Sequence, residues 1–258
     1  MTVDVALVQL ASEETEPPQE RVRRAVALTW DAAASADLVV LPELWLAGAF
    51  DVHGSGRLAQ PVNGELIETF RSVARDTATW IHAGSVPEQD GGFTFNTSVV
   101  VAPDGTVAAT YRKRHLFGFD GGEPEVMTAG DDLVCVDTPL GPTGLATCYD
   151  LRFPEHFRGL VDHGATAFLL ASGWPDRRIE HWRVLLRARA IEDQSWVVAC
   201  NGVGTQCGTT LGGRSAVVDP LGDVVAEAGT DETVLVATVE PTAAADWRAA
   251  FPALDDRR

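Results

Sequence analysis

Two stretches of this chain run through the same order of elements, and that repeat restricts the available folds more than any other feature. The first opens with "VDVALVQLA" at 3–11, a near-continuous apolar run of the kind a strand buried on both faces requires. "PPQERVRRAVALTWDAAASA" at 17–36 follows, with Val22, Val26, Trp30 and Ala33 spaced for one helical face. "DLVVLPE" is a second strand. Residues 64–79 form another amphipathic helix through Leu66, Phe70, Val73 and Thr77, and "WIHAGSV" is a third strand. "FNTSVVVAPDGTVAATYRK" then places two β-rich runs around Asp104-Gly105, a hairpin signal.

After a Gly-rich loop at 118–130 the order returns. "GLATC" reads as a strand, Pro154 opens a helix to about His163, and "TAFLLAS" is a strand. "IEHWRVLLRARAIEDQ" is a helix, "SWVVACN" a strand, and "SAVVDPLGDVVAEA" a turn-centred hairpin. Both halves read β-α-β-α-β-hairpin. Two sheets packed face to face, with helices on their outer faces, bury such runs. The expectation is an α/β, four-layer α-β-β-α sandwich with two mixed sheets and an internal pseudo-two-fold. No Ser/Gly linker separates the halves, so residues 1–258 are expected to form a single domain. The tail at about 241–258 carries Trp247 and Phe251, which dock on this chain or at a dimer contact.

The net charge of −17 argues against nucleic acid and anionic membrane as partners, because both would be repelled. A small anion is still admissible, since exposed charges are screened beyond roughly 8 Å and the local field of a pocket decides. Cys135, Cys148, Cys200 and Cys207 form no CxxC pair and no zinc-ligand spacing. The start "MTVDVALVQLASEE" has no basic leader region, and no apolar stretch reaches the ~20 residues of a spanning helix. These features predict a soluble, reduced, cytoplasmic protein.

A cysteine that attacks a carbonyl or nitrile carbon needs a base for its proton and donors for the charge that develops on the substrate. Open α/β sheets deliver such groups at the carboxyl ends of their strands. Glu43 directly follows "LVVLP", Lys113 ends "VAATYRK", and Cys148 ends "GLAT". Each also has a plain alternative. Free cysteines are commonly small buried hydrophobes, Glu43 suits a solvated strand end, and Lys113 lies in the charge run "RKR". Glu123 sits in a Gly-rich loop that can carry carboxylates for many reasons. Polar Tyr149, Asp150 and Arg152 and the helix start at Pro154 surround Cys148, and a helix N-terminus and a nearby cation both favour thiolate.

Taken together, "LPELWLAG" at 41–48, "YRKRHLF" at 111–117 and "CYDLRFPE" at 148–155 resemble the Glu-Lys-Cys pattern of the nitrilase, or carbon–nitrogen hydrolase, superfamily. "HWRVLLRARAIEDQ" and "GGRSAVVDPLGDVVAEA" extend the likeness almost end to end. With "ASGWP", the motifs are most similar to bacterial omega-amidase-like amidases. The resemblance implies Cys148 as nucleophile, Glu43 as general base, Lys113 as oxyanion donor and Glu123 as a second glutamate beside the lysine. It implies no metal and no organic cofactor, a small-molecule amide as substrate, and a homodimer or higher homo-oligomer. Two departures are informative. Trp45-Leu46-Ala47 stands where relatives often carry Phe and Thr, which implies a different acyl pocket. Tyr149-Asp150 replaces the Trp-Glu that follows the cysteine in true nitrilases, which favours amides over nitriles.

The backbone N–H of Tyr149 is expected as a second oxyanion donor. Arg152 either holds a substrate carboxylate with its guanidinium fork or pairs locally with Glu155. Trp174, after "TAFLLAS", either lines the pocket or packs at a strand–loop junction. His115 and His181 offer a Cys-His dyad, which the family's use of glutamate disfavours. "GVGTQCG" places Cys207 where a dinucleotide fingerprint needs Gly, and no GxSxG occurs. The remaining alternatives are a nitrilase or N-carbamoyl hydrolase with the same site, and an inactive binding protein on the same fold.

Overall fold

The structure, a computed structural model, describes residues 1–118 and 121–257, so positions 119 and 120 of the Gly-rich loop lie outside it. The first sheet comprises β1 (Val3–Gln9), β2 (Leu38–Val40), β3 (Trp80–Asp90), β4 (Phe93–Val101) and β5 (Val107–Arg112). The second comprises β6 (Cys135–Thr138), β7 (Gly141–Thr147), β8 (Ala167–Ser172), β9 (Trp196–Asn201), β12 (Ala216–Val218) and β13 (Val224–Glu227). A small ribbon, β10 (Thr205–Gln206) with β11 (Thr209–Thr210), lies outside both, and β14 (Thr233–Val239) returns to the first sheet. The helices are α1 (Pro18–Ala33), α2 (Val52–Leu58), α3 (Glu65–Thr77), α4 (Pro154–Asp162), α5 (Ile179–Asp193) and α6 (Ala243–Ala250).

Strand order is β14-β1-β2-β3-β4-β5 in one sheet and β13-β12-β9-β8-β7-β6 in the other. Each sheet holds three parallel strands, β1-β2-β3 or β7-β8-β9, with an antiparallel hairpin on one side and a single antiparallel strand on the other. The pseudo-two-fold of the sequence is therefore a repeat of sheet architecture. The outer strands differ in origin: β6 immediately precedes β7, whereas β14 comes from the far end of the chain to pair Val3 with Val239 through Gln9 with Thr233.

The apolar runs are continuous because each strand serves two cores. Val5 and Leu7 of β1 face Leu145, Leu169 and Val198 of the other sheet, while Ala6 and Val8 face α1 and α3. A third cluster packs α4 and α5 on the outer face of the second sheet. This is the α-β-β-α layering, with helix crossovers covering the parallel strands.

The face of α1 differs from the expectation. Arg21, Ala25, Thr29, Ala32 and the expected Ala33 are buried, the expected Val22 and Val26 are half-buried against the core, and Trp30 is exposed. Small residues allow the helix to approach the sheet, and Arg21 is drawn inward because Nη1 donates to the carbonyls of Trp45 (3.3 Å) and Leu46 (3.1 Å). The C-terminal segment docks on this chain: Arg248 Nη2 donates to Ser195 Oγ (2.7 Å) and Gln194 Nε2 to the Phe251 carbonyl (2.8 Å). Among the described residues no helix is long and apolar enough to cross a membrane.

Candidate active site

Glu43 stands three residues beyond β2, and its backbone is pinned from two sides. Ser85 N donates to Pro42 O (3.1 Å), Leu44 N donates to Ser85 Oγ (3.1 Å), and Glu43 N reaches Ser172 O of the second sheet (3.3 Å). Ser85 reaches this position through a register shift in β3 at Gly84, where φ is +68° and a Cβ would lie 2.0 Å from Pro42 O. Only glycine fits there. The Glu43 side chain is buried, with Oε2 accepting from Gly173 N at 2.9 Å.

Lys113 follows β5, and its neighbours in "RKR" divide as strand alternation requires. Arg112 faces outward to Glu88 and Asp90, while Lys113 turns inward and is 1% exposed. Its Nζ donates to Glu43 Oε1 (2.7 Å) and Glu123 Oε2 (2.7 Å). Glu123 opens a 3-10 turn, Glu123–Glu125, and closes the loop back on Phe117: Glu123 N donates to Phe117 O (3.0 Å) and Phe117 N to Glu123 Oε2 (2.6 Å). Asn96 completes the cluster, its Nδ2 donating to Glu43 Oε1 (2.9 Å) and Glu123 Oε1 (2.7 Å). That orientation follows from the network, because the opposite amide flip would set Oδ1 against two carboxylates. The sequence reading missed Asn96. The polar run Asn96-Thr97-Ser98 inside an otherwise apolar strand was the available signal.

Cys148 begins a 3-10 turn, Cys148–Arg152, at the end of β7 and holds a left-handed backbone (φ 44°) that side-chain-bearing residues seldom adopt. A capping box fixes the turn, with Thr147 N donating to Asp150 Oδ2 (2.9 Å). Asp150 also accepts from Tyr111 Oη (2.6 Å), His115 N (3.1 Å) and His115 Nδ1 (2.7 Å). The buried carboxylate thereby ties the lysine-bearing segment of one sheet to the cysteine-bearing turn of the other. His115, Asp150 and His156 lie close enough to resemble a metal-ligand triad, with ligand atoms within 4.8 Å. Both Asp150 oxygens are already filled by donors, so the group fits a hydrogen-bond hub. His115 is committed to it, and His181 Nδ1 is placed 3.3 Å from Arg152 Nη2.

The electrostatics follow from one ammonium between two carboxylates. Burial pushes the Lys113 pKa down, but Glu123 and Glu43 overcome it and hold the ammonium well above its ordinary value. Burial raises the Glu123 carboxyl, as does the neighbouring Glu43, against the pull of Lys113. Burial likewise pushes the Cys148 thiol well up; Glu43 adds to the rise, while Lys113 and the Ser172 hydroxyl oppose it. The helix start and nearby cation, which favour thiolate, are outweighed here. The cation near the sulfur is already neutralised, so ionisation would add uncompensated negative charge. Transfer of the proton to Glu43 keeps the cluster's total charge unchanged.

A cavity of about 200 Å³ opens over Cys148 and is lined also by Glu43, Lys113, Tyr149, Trp174 and Arg178. The Tyr149 ring packs edge-on against Phe117 (5.3 Å), and its backbone N–H lies in the first turn of the 3-10 segment, where such donors lack intrahelical partners. Arg152 stacks over Trp174 (4.7 Å) at the pocket wall and makes no ion pair with Glu155 among the described residues. Trp174 is buried and lines the pocket. The acyl-pocket expectation for Trp45-Leu46-Ala47 fails. Trp45 is buried against Phe70 (5.7 Å), Leu46 is buried, and Ala49, Phe50 and Val52 line the pocket instead. Arg178 is a further lining residue that the sequence reading missed.

The carbon–nitrogen hydrolase family profile matches residues 4–249. A 2-oxoglutaramate amidase of Paenarthrobacter nicotinovorans is 42% identical over 264 residues, covering 99% of this chain and 90% of that protein. Omega-amidase NIT2 of Mus musculus is 31% identical, covering 100% of this chain and 95% of that protein. The structure of XC1258 from Xanthomonas campestris, a CN-hydrolase superfamily protein with an arsenic adduct in its active site, superposes with a TM-score of 0.91 at 32% identity. That likeness covers 100% of this chain and 98% of the other.

Proposed function

The chain belongs to the carbon–nitrogen hydrolase family, and on that premise we propose that it is an amidase converting a small carboxylate-bearing amide to the acid and ammonia through a Cys148 thioester. The observation that carries the assignment is the buried Lys113 ammonium held between Glu43 and Glu123 beside the Cys148 sulfur.

Glu43 takes the thiol proton as the sulfur attacks the amide carbon. The oxygen that gains charge is held by the Lys113 ammonium and the Tyr149 backbone N–H; removing one such donor typically costs about 10²–10³ in rate. Collapse breaks the C–N bond, and the proton on Glu43 passes to the leaving nitrogen, which departs as ammonia. Water then enters, Glu43 takes one of its protons, and the oxygen attacks the thioester carbon. When the C–S bond breaks, the proton returns to sulfur and the acid leaves. Glu123 and Asn96 hold Lys113 and Glu43 in register throughout. Nothing in this sequence of steps calls on a metal or organic cofactor.

The acid-amide preference rests on Arg152 at the pocket wall, and the amidase names of the relatives favour an amide over a nitrile or carbamoyl substrate. Residues 1–258 act as one catalytic unit, since the site draws Glu43 and Lys113 from one sheet and Cys148 and Gly173 from the other. We place the protein in the reducing cytoplasm, in keeping with its four free cysteines. We take it to be a homodimer, for which exposed Val184 and Ile191 of α5 and Leu221 beside β13 provide apolar surface.

The test is ammonia release from 2-oxoglutaramate, succinamate, propionamide, a nitrile and an N-carbamoyl acid, with C148A as control. Acid amides should lead the panel and C148A should release nothing. Release that persists in C148A, or a neutral or nitrile substrate at the head of the panel, overturns the assignment.

A further inference from the structure

The carboxylates at the base of the pocket are engaged, while the two arginines on its wall meet rings and a histidine among the described residues. Glu43 and Glu123 are committed to Lys113, Asn96 and backbone donors. Arg152 and Arg178 both line the cavity, and among the described residues neither forms an ion pair with a carboxylate.

Trp174 touches both arginines, the guanidinium of one and the backbone of the other. Its ring face carries Arg152 at 4.7 Å, and its Nε1 donates to the backbone carbonyl of Arg178 at 2.8 Å. Arg178 in turn lies over Phe117 at 5.4 Å, the residue whose N–H holds Glu123. Arg178 thus reaches from its backbone at the Trp174 wall to its guanidinium at Phe117, beside the segment that carries the second glutamate. Burial and the neighbouring charges of Arg177 and Arg152 pull its pKa down.

Resting on the amidase reading above, we propose that Arg178 is a specificity-determining residue. With Arg152 it forms a two-guanidinium wall that selects omega-amides of α-keto acids over the corresponding amides of α-amino acids. The chemistry is complementary. A carboxylate with a carbonyl beside it presents several coplanar oxygen acceptors, which two planar forks can meet with parallel N–H donors. In an α-amino acid amide an ammonium replaces that carbonyl. It would stand against Arg178 with no free carboxylate among the described residues of the wall to receive it, and specificity arises from that repulsion as much as from the attraction.

The experiment compares wild type with R178Q on 2-oxoglutaramate, glutamine and propionamide, reading kcat and KM separately by ammonia release. R178Q should lower kcat/KM for 2-oxoglutaramate at least about tenfold, mainly through KM, as loss of a charge-assisted hydrogen bond does. Propionamide turnover should stay within about twofold, and the preference for 2-oxoglutaramate over glutamine should fall at least about tenfold. An unchanged preference in R178Q with propionamide turnover intact removes Arg178 from the specificity wall and leaves the amidase assignment standing. Should R178Q lose propionamide turnover as well, R178M supplies a second uncharged side chain; loss in both overturns the specificity role in favour of a general one. A wild-type enzyme that releases no ammonia from 2-oxoglutaramate overturns the amidase assignment and this inference with it.

Discussion

Replacing Glu43 by glutamine should change two measurable rates in opposite directions. With Glu43 and Glu123 ionised, the cluster has one more carboxylate than ammonium, so ionising Cys148 adds a second uncompensated charge. E43Q leaves Lys113 facing Glu123 alone, and a thiolate becomes easier to hold. A unit charge about 4 Å away at an effective dielectric of about 20 is worth roughly 4 kcal/mol. Discounting for relaxation of the site, we take about one to two pKa units, at about 1.4 kcal/mol each. The thiolate fraction then rises about 10- to 100-fold, and the accompanying fall in intrinsic nucleophilicity trims the gain to about three- to tenfold in alkylation.

Turnover should fall about 10²–10⁴-fold, because the general base is gone. The assay is iodoacetamide modification of the Cys148 peptide followed by mass spectrometry between pH 7 and 9, beside ammonia release from 2-oxoglutaramate. Peptide resolution separates Cys148 from exposed Cys207. If alkylation slows in step with turnover, Glu43 helps to keep the sulfur ionised and the account of a protonated resting thiol is wrong.

D150N should damage both stability and turnover. Asp150 accepts four donors, whereas the amide of asparagine can accept on one oxygen only and sets its NH₂ against the rest. A loss of about 2–5 kcal/mol at neutral pH is expected. Hydrogen bonds from His115 and Tyr111 outweigh burial and depress the Asp150 pKa, so its contribution is present above the ordinary carboxylate range and fades as pH falls through the depressed value. Thermal melts at neutral and acid pH check this, and a D150N protein with wild-type melting and turnover refutes it. D193N should act the other way. Burial raises the Asp193 pKa to about 7, so its stability contribution is complete below about pH 4 and is lost as pH rises through 7. D193N should melt higher than wild type at pH 8, by up to about 4 kcal/mol, and the gap should close in acid. A lower melting temperature for D193N at pH 8 would show that the ion pair of Asp193 with Arg158 outweighs the cost of burial.

Much of the fold was legible because strands buried on two faces leave apolar runs with abrupt ends. The ends after Val40, Arg112 and Thr147 gave the positions of Glu43, Lys113 and Cys148. The buried face of α1 was only partly legible, since apolar spacing favoured Trp30 while the fully buried positions took small side chains and an arginine bound to distant carbonyls. Nor was the pairing of β14 with β1, a contact between opposite ends of the chain. The short β6 went unread although "LVCV" at 133–136 runs into it, because four apolar residues after a Gly-rich loop do not by themselves mark a strand.

What the sequence determined by itself was the parallel strands, the helices that connect them, their order, and the residue type standing at those strand ends. Periodicity and local apolar runs encode those within a few neighbours. Only the tertiary structure decided how the charges offset one another. It set Lys113 between two glutamates, put Asn96 across them, pushed the Cys148 thiol pKa up by burial and brought Arg178 and Arg152 to line one cavity. Such energies depend on distances and burial among residues tens of positions apart, and no local pattern in a chain records them.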